Sequence, residues 1–379
     1  MPYAPTDILE TRLAVTRRTL AEEALEALVV FGAANLAYLT NFGGSAGLAV
    51  ITPDAVHFLT DSRYVTAVAD QQAGPAACPS LTLVPVDGSY DATLASLLVR
   101  LGPRRVGYES AHLTVARHQW LLQRLATDAP ALSLQAVEGW VERQRTVKDP
   151  YELGILTTAG TMLSAVTAQV LTLPRVGMTE RALAWAIDTT IRDAGFEKTA
   201  FETIVASGPN SALPHARPSG RTLHEGDLVV LDFGGVYDSY CVDLTRTVAM
   251  GRPSARAQEI HAAVREAHDW AVAAVAPEVS RFAVDAAARD HLVALGMGDA
   301  FGHGTGHGLG LEVHELPRIG KRTPVADTRD EVLAPGMVFT IEPGAYFPGV
   351  GGVRIEDDVR VTSTGVELLT AGTTALLEL

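Results

Sequence analysis

Cysteine and charged residues are scarce in this chain of 379 residues. The two cysteines, Cys78 and Cys241, lie far apart and form neither a CxxC pair nor a disulfide framework, which favours a reducing compartment. Charged residues make up only 20% of the chain, with a net charge of −14. No basic stripe is available to neutralise phosphates, so we expect no nucleic-acid partner.

Long apolar runs and targeting signals are also lacking. No stretch of the sequence approaches the uninterrupted apolar length needed to cross a bilayer. The N-terminal segment MPYAPTDILETRLAVTRR carries acids and has no apolar centre, so it does not resemble a signal peptide. These absences predict a cytoplasmic protein with no membrane partner. What the chain does have is 47% hydrophobic residues, enough for a large core, and a length that suggests two domains.

The pattern of helices and strands changes near residue 138. Residues 1–138 alternate short helix-like and strand-like segments, which predicts a small α/β domain with a mixed or parallel sheet. Residues 139–379 contain longer helices and two strand–turn–strand units, which gives an α/β (α+β) chain overall. A capping box, with Asp149 as N-cap, Pro150 in the first turn and Glu152 at N3, predicts the first long helix of the second domain.

The first strand–turn–strand unit, LVVLDFGGVYDSYCVDLTRTVAM, carries two acids in otherwise apolar strands. If its turn centres between Tyr237 and Asp238, Asp232 and Asp243 lie directly opposite each other. Opposed residues have Cβ atoms about 4.5–5.5 Å apart, and like charges there are destabilising. A cation between the two carboxylates would remove that cost.

The second unit, MVFTIEPGAYFPGVGGVRIEDDVRVTS, repeats the arrangement. A turn centred on Gly349 places Glu342 opposite Glu356. In either unit the acids could instead face solvent, or pair with Arg246 or Arg354. Because both units show the same pattern independently, we favour one or two bound cations.

Four carboxylates with an imidazole would form a hard, oxygen-rich ligand set. Such a set suits Mn²⁺, Co²⁺ or Fe²⁺, or Zn²⁺ in a non-structural site, better than a metal selected by thiolates. With four acids, carboxylates that bridge two neighbouring cations are expected. Such a pair of cations can activate water and polarise a carbonyl group.

The imidazole is expected from residues 301–316, FGHGTGHGLGLEVHEL. Alternating glycines exclude a stable helix, and in an extended chain they leave one face bare, so that another backbone can approach closely. His303 and His307 then share the other face. His314 can join them only if a turn or bulge intervenes near residues 309–312. Each histidine taken alone is more often a structural residue than a ligand, but three within twelve residues beside the predicted acid cluster favour a site. His215 in the loop GPNSALPHARPSG is a further candidate, although a single loop histidine is usually only solvated.

Five segments together resemble the Xaa-Pro peptidases of metallopeptidase family M24B, which include the prolidases and aminopeptidase P. In chain order, they are GPNSALPH, LDFG with its following Asp and Arg, GHGTGHGLGLEVHE, IEPG and GVRIEDD. The resemblance implies a pita-bread catalytic domain over residues 139–379. The stretches LAYLTNFGGSAGLAV and LTDSRY are similar, more loosely, to the creatinase-type N-terminal domain of that family, which would occupy residues 1–138.

The resemblance also implies roles for individual residues. The ligands of two divalent metal ions per chain would be Asp232, Asp243, His307, Glu342 and Glu356. His215 and His314 would contact the substrate and stabilise the tetrahedral intermediate, and Glu342 would also transfer the proton. His303 would line the proline pocket, with Tyr346 a further site residue and Arg354 the arginine that precedes the last ligand.

The activity implied is hydrolysis of the Xaa-Pro imide bond in a dipeptide or short peptide, with manganese the first choice of metal and a homodimer the expected assembly. We favour an Xaa-Pro dipeptidase. The alternatives are an Xaa-Pro aminopeptidase acting on longer peptides and, more remotely, a non-catalytic binding protein on the same fold. Arg217, Arg318 and Arg322 are candidates to bind the carboxylate of a dipeptide. A methionine aminopeptidase is disfavoured by the additional N-terminal domain and by His303.

Overall fold

The computed structural model describes residues 4–322 and 332–379. The chain divides into two compact units, Met1–Arg145 and Thr146–Leu379. The division falls in the short helix Trp140–Thr146, whereas the boundary expected from the sequence lies just before that helix, between residues 138 and 139.

The first unit contains a six-stranded mixed sheet, as the alternation of short apolar runs predicts. Its helices are α1 Thr6–Glu22, α2 Ala33–Thr40, α3 Ser62–Gln72, α4 Tyr90–Leu101, α5 Val115–Asp128 and α6 Trp140–Thr146. Its strands are β1 Ala27–Val30, β2 Leu48–Ile51, β3 Val56–Thr60, β4 Leu81–Pro85, β5 Arg105–Glu109 and β6 Ser133–Val137. The strand order is β4-β3-β2-β1-β5-β6, antiparallel among β1, β2 and β3 and parallel elsewhere.

The second unit has long helices and a series of antiparallel sheets. Its helices are α7 Pro150–Val170, α8 Glu180–Asp193, α9 Ala255–Ala273 and α10 Arg281–Ala294. Its strands are β7 Lys198–Thr199, β8 Ile204–Ser207, β9 Leu228–Tyr237, β10 Tyr240–Ala249, β11 Gly306–Gly308, β12 Glu315–Ile319, β13 Val338–Ile341, β14 Gly344–Phe347, β15 Gly351–Arg354, β16 Asp357–Val361 and β17 Val366–Leu368. One sheet has the order β10-β9-β7 with β8 also on β9, another has the order β12-β11-β13-β16-β17, and β14 pairs with β15.

Helix α7 begins at the predicted capping box. The Asp149 side chain accepts the N–H of Glu152 while the Glu152 carboxylate accepts the N–H of Asp149. By length and composition alone, α7 is the one described helix that could cross a membrane, although no such stretch was expected. Leu163 and Val170 on this helix are fully buried in the core of the unit, which is the burial pattern of a core helix.

Candidate metal centre

The first hairpin pairs one residue later than expected. Its turn residues are Asp238 and Ser239, both with positive φ, and Asp232 pairs with Thr245. The prediction that Asp232 and Asp243 lie directly opposite each other is therefore wrong. The offset of two residues keeps both acids on one face of the β9–β10 ribbon as diagonal neighbours, a relation in which residues lie about 7–8 Å apart.

The second hairpin confirms the expected register. Strands β14 and β15 pair symmetrically about Gly349, and β13 and β16 continue the same register. Gly349 has φ +82°, the left-handed conformation that glycine adopts without strain. Glu342 and Glu356 lie between the two paired segments, and the common register sets them opposite each other.

Thr245 joins the two hairpins. It forms a bridge with Glu356, whose N–H donates to the Thr245 carbonyl at 3.1 Å. The Thr245 hydroxyl donates to Glu356 Oε2 at 2.6 Å. The N–H of Asp243 donates to Asp358 Oδ2 at 2.9 Å. Carboxylates from strands distant in sequence are thus brought to one place and oriented there by hydrogen bonds.

The alternating glycines permit a close approach of neighbouring backbones, as predicted. A Cβ atom on Gly306 would overlap the carbonyl of Thr340, and one on Gly308 would overlap the carbonyl of Leu316. Among residues 302–310, which carry the alternating glycines, Gly306–Gly308 forms the strand β11. This strand lies between β12 and β13, and it carries His307 towards the carboxylates.

The predicted bend before His314 is confirmed. The register between β11 and β12 shifts between His307 and Gly308, and residues 310–314 form a bend. As a result, the ring centroids of His307 and His314 are 4.3 Å apart, although the two residues are seven positions apart in sequence.

Three of the five predicted ligands converge closely. Ligand atoms of Asp243, His307 and Glu356 all lie within 4.8 Å of one another. His307 Nε2 is also 3.6 Å from Glu342 Oε1. His307 Nδ1 lies 3.1 Å from the carbonyl of Gly308. Because a carbonyl only accepts, Nδ1 carries the proton and Nε2 keeps its lone pair for a cation.

The residues of this cluster fit bound cations. Within the described part of the chain, Asp232 Oδ1, Asp243 Oδ1 and Glu356 Oε1 are buried and have no hydrogen-bond partner. Buried polar atoms in native proteins are normally paired, and divalent cations are partners that would satisfy these carboxylate oxygens.

Electrostatics lead to the same conclusion. Burial, together with the neighbouring carboxylates, raises the pKa values of Asp243 and Glu356 well above their usual range. Burial also raises the pKa of Glu342 to about 7. Burial and the adjacent His314 lower the pKa of His307 to about 4, which keeps its imidazole in the neutral form that binds metal. Positive charge placed among these groups would return the carboxyls to their ionised state.

Asp232 has a protein partner as well. Its Oδ2 accepts a hydrogen bond from Nη2 of Arg354, one of the two arginines considered as a structural alternative to metal. The buried guanidinium also donates to the hydroxyl of Tyr346 at 2.8 Å and to the carbonyl of Pro214 at 3.2 Å. Arg354 therefore links the first hairpin, the second hairpin and the loop that carries His215.

The cluster lies in a cavity of about 830 Å³, a size typical of sites for small molecules. Side chains from both hairpins, the glycine-rich stretch and the 214–218 loop line it. Of the predicted site residues, those lining the cavity are His215, Asp232, Asp243, His303, His307, His314, Glu342, Arg354 and Glu356. The buried Tyr346 supports this wall: its hydroxyl lies 3.0 Å from Nε2 of His303.

The sequence did not reveal the residues that hold the His303 segment in place. On α10, Asp285 Oδ1 accepts both the N–H and the hydroxyl of Thr305. Arg289, ion-paired to Asp285, donates to the carbonyls of Phe301 and His303. An acid and an arginine four residues apart on an otherwise apolar helical face were the available signal.

Two family models match the chain. The model of metallopeptidase family M24 matches residues 154–363, and that of the creatinase/prolidase N-terminal domain matches residues 12–147. An uncharacterized peptidase of Bacillus subtilis is 38% identical over 359 residues, which cover 95% of this chain and 97% of the relative.

Solved structures are similar over nearly the whole chain. The Xaa-Pro dipeptidase from Bacillus anthracis has a TM-score of 0.90 at 34% identity, covering 98% of this chain and 100% of its own. The X-Pro aminopeptidase from Thermotoga maritima has a TM-score of 0.84 at 31% identity, covering 97% and 99%. The M24 match spans more than half of the chain and includes all five candidate metal ligands. The protein belongs to metallopeptidase family M24 and is a peptide hydrolase.

Proposed function

We propose that the protein is an Xaa-Pro dipeptidase that cleaves the imide bond of a proline-containing dipeptide with two divalent cations. The observation that carries the proposal is the convergence of five ligand residues in one cavity with a basic rim. Asp232, Asp243, His307, Glu342 and Glu356 would hold the cations. When bound, the cations supply Lewis acidity to the scissile carbonyl and to water.

The side chains around the ligands account for the remaining chemistry. Glu342 accepts the proton of the attacking water and returns it to the leaving prolyl nitrogen. His314, exposed beside His307, donates to the oxyanion that develops on the carbonyl, and His215 contacts the substrate from the opposite loop. Prolyl nitrogen has no N–H, so the ring must be recognised by shape. His303, backed by Tyr346, supplies that wall.

The basic rim favours a dipeptide over a longer peptide. Arg318 lies opposite His307 in the β11–β12 register and, with Arg217, lines the cavity. Arg322 lies over the ring of Phe282, 4.5 Å from its centroid. A free carboxylate directly after proline would pair with Arg318 or Arg217, whereas a peptide that continues past proline has no charge at that point.

The test compares Ala-Pro with Ala-Pro-Ala after EDTA treatment and after addition of Mn²⁺ or Co²⁺. We expect hydrolysis of Ala-Pro that is lost with EDTA and restored by the metal. Preferential cleavage of Ala-Pro-Ala would instead identify an Xaa-Pro aminopeptidase. Full activity of the metal-free protein would refute a metal-dependent mechanism, and no hydrolysis of either peptide by the metal-loaded protein would favour a non-catalytic binding role.

Arg318→Ala tests the recognition of the carboxylate. We expect KM for Ala-Pro to rise by roughly 10- to 100-fold, the cost of losing a charge-assisted contact of about 1.5–3 kcal/mol. The control is Arg256→Ala, which removes an exposed arginine of α9 and leaves KM unchanged.

Manganese as the physiological metal, a homodimer and a cytoplasmic location complete the proposal. Cys78 and Cys241 are both free and buried, which supports a reducing compartment. Metal analysis of the protein purified without chelators and light scattering of the eluted species test the first two.

A further inference from the structure

Lys148 and Glu315 form a buried ion pair next to the bend at residues 310–314. Lys148 Nζ lies 3.3 Å from Glu315 Oε2, and their side chains are 0% and 5% exposed. Desolvating two charges costs more than an average ion pair returns, so a buried pair is weak evidence of a contribution to stability. A role in fixing local geometry is therefore the hypothesis to examine.

The Glu315 carboxylate contacts the backbone of the bend at residues 310–314, which precedes Glu315 in the chain. Its Oε1 accepts the N–H of Glu312 at 3.0 Å. A Cβ atom on Gly310 would come within 2.9 Å of Glu315 Oε2, so the carboxylate packs directly against that glycine. The Gly310 carbonyl accepts the N–H of Cys241 on β10 at 2.7 Å. The bend at residues 310–314 thus wraps around one carboxylate and is attached to the first hairpin.

Lys148 is held at a fixed point on the other side of the pair. Its N–H donates to the carbonyl of Gly336 at 2.9 Å, and the N–H of Gly336 donates to the carbonyl of Val361 at the end of β16. The next residue, Asp149, caps α7. The ammonium group therefore projects from backbone that is tied to the second hairpin.

His314 is the residue that needs this support. Its side chain is exposed at the cavity and contacts the His307 ring on one side, so its position depends mainly on the backbone of the bend. Glu315 follows it directly in the chain. We propose that Lys148 and Glu315 are positioning residues that hold His314 beside His307, an inference that rests on the proposed peptidase function.

The kinetic test uses Lys148→Met and Glu315→Gln. We expect kcat for Ala-Pro to fall roughly 10- to 100-fold, because misplacement of a catalytic group by about 1 Å has effects of that size. KM and bound metal should stay unchanged, and Lys148→Arg should restore most of kcat. The double variant Lys148→Met with Glu315→Gln removes both charges, which avoids an unpaired buried charge if a single variant does not fold.

A double-mutant cycle of Glu315→Gln with His314→Ala separates a positioning role from general destabilisation of the protein. If the pair acts through His314, Glu315→Gln should lower kcat no further in the His314→Ala background. The matched control is Leu163→Ala, which creates a cavity at the fully buried face of α7. Its effect on kcat should be the same in the wild-type and His314→Ala backgrounds. Additive losses from Glu315→Gln and His314→Ala would overturn the proposal.

An NMR spectrum of the metal-free protein tests the positioning of His314 without a measurement of activity. With ¹³C-labelled histidine, the His314 ring signal is identified by its disappearance in His314→Ala. It should move in Lys148→Met and in Glu315→Gln but not in Leu163→Ala. An unmoved signal refutes the positioning role even if the protein is a dipeptidase. A moved signal in a protein that cleaves neither Ala-Pro nor Ala-Pro-Ala upholds the geometry and refutes the proposed function instead.

Discussion

Individual carboxylates of the metal cluster work against the stability of the metal-free fold. Asp243 is buried among other acids, and its Oδ1 lacks a hydrogen-bond partner within the described residues. Residues placed for function often carry such a cost. The side chain proposed to bind the cation is therefore unfavourable without it.

Asp243→Asn separates these two effects. We expect the variant to lose bound metal and nearly all hydrolysis. In chelator its free energy of unfolding should rise by about 0.5–2 kcal/mol, because an amide is neutral without the proton uptake that burial imposes on the Asp243 carboxyl. Urea unfolding with EDTA measures the gain. Asp299→Asn, at an exposed position, should change stability by less than about 0.5 kcal/mol. A less stable Asp243→Asn apoprotein, or one that retains two metals, contradicts the assignment.

His261 on α9 makes stability depend on pH away from the site. Burial, with a smaller effect of Arg265, lowers its pKa to about 4 from 6.5, so the folded state holds it neutral. Below pH 6.5 the unfolded chain binds a proton that the folded chain does not, so this contribution to stability falls as the pH drops from 6.5 towards 4. At pH 5 the loss is about 2 kcal/mol.

The measurement is urea unfolding at pH 7.5 and pH 5 for wild type and His261→Gln. Between pH 7.5 and pH 5, the free energy of unfolding should fall by about 2 kcal/mol less in the variant than in the wild type. His224→Gln, in which an exposed histidine is replaced, should show the wild-type loss. Equal losses in wild type and His261→Gln would show that His261 is not the group responsible.

At the scale of elements, the glycines of the 301–316 stretch are not equivalent. Gly306 has the Thr340 carbonyl where a Cβ would lie, whereas Gly302 faces open space. Gly306→Ala should separate β11 from β13, lower stability by about 1–3 kcal/mol, and displace His307, with weaker metal binding. Gly302→Ala should preserve both properties. Thermal unfolding and metal titration of the two variants give the comparison.

How far the site could be predicted depended on the turns. Pro348 and Gly349 marked the second turn clearly, so the opposition of Glu342 and Glu356 was predicted correctly. In the first turn, Asp238 and Ser239 adopt positive φ without the glycine that usually marks such turns. The sequence therefore does not mark the centre of this turn, and the predicted centre lies one residue too early. The face of the strand, which depends only on parity, was still correct.

Residues that support the site without lining the cavity were harder to predict. Lys148 is one of only three lysines in the chain, but its partner Glu315 lies 167 positions away. Similarly, Thr245 and Asp358 orient two candidate ligands, Glu356 and Asp243, through contacts between separate hairpins. Periodicity reveals which face a residue occupies on its own element, and it contains no information about which distant element packs there.

For the whole molecule, all five candidate ligands belong to the unit Thr146–Leu379. Binding of cations to the native state should stabilise that unit by mass action, about 2.7 kcal/mol at a concentration 100 times Kd. Hydrogen exchange with Mn²⁺ and with EDTA should show slower exchange in β9, β10, β13 and β16. Equal exchange rates in the two conditions would indicate that these strands do not hold the metal.

The single register shared by β13–β16 and β14–β15 also limits how this region can vary in length. Inserting or deleting one residue at the tip formed by Pro348 to Val350 would turn every following side chain to the other face of the ribbon. Glu356 would then point away from Asp243. A change of two residues preserves parity. Functional relatives should therefore differ in length at this tip by even numbers of residues, unless a bulge restores the face.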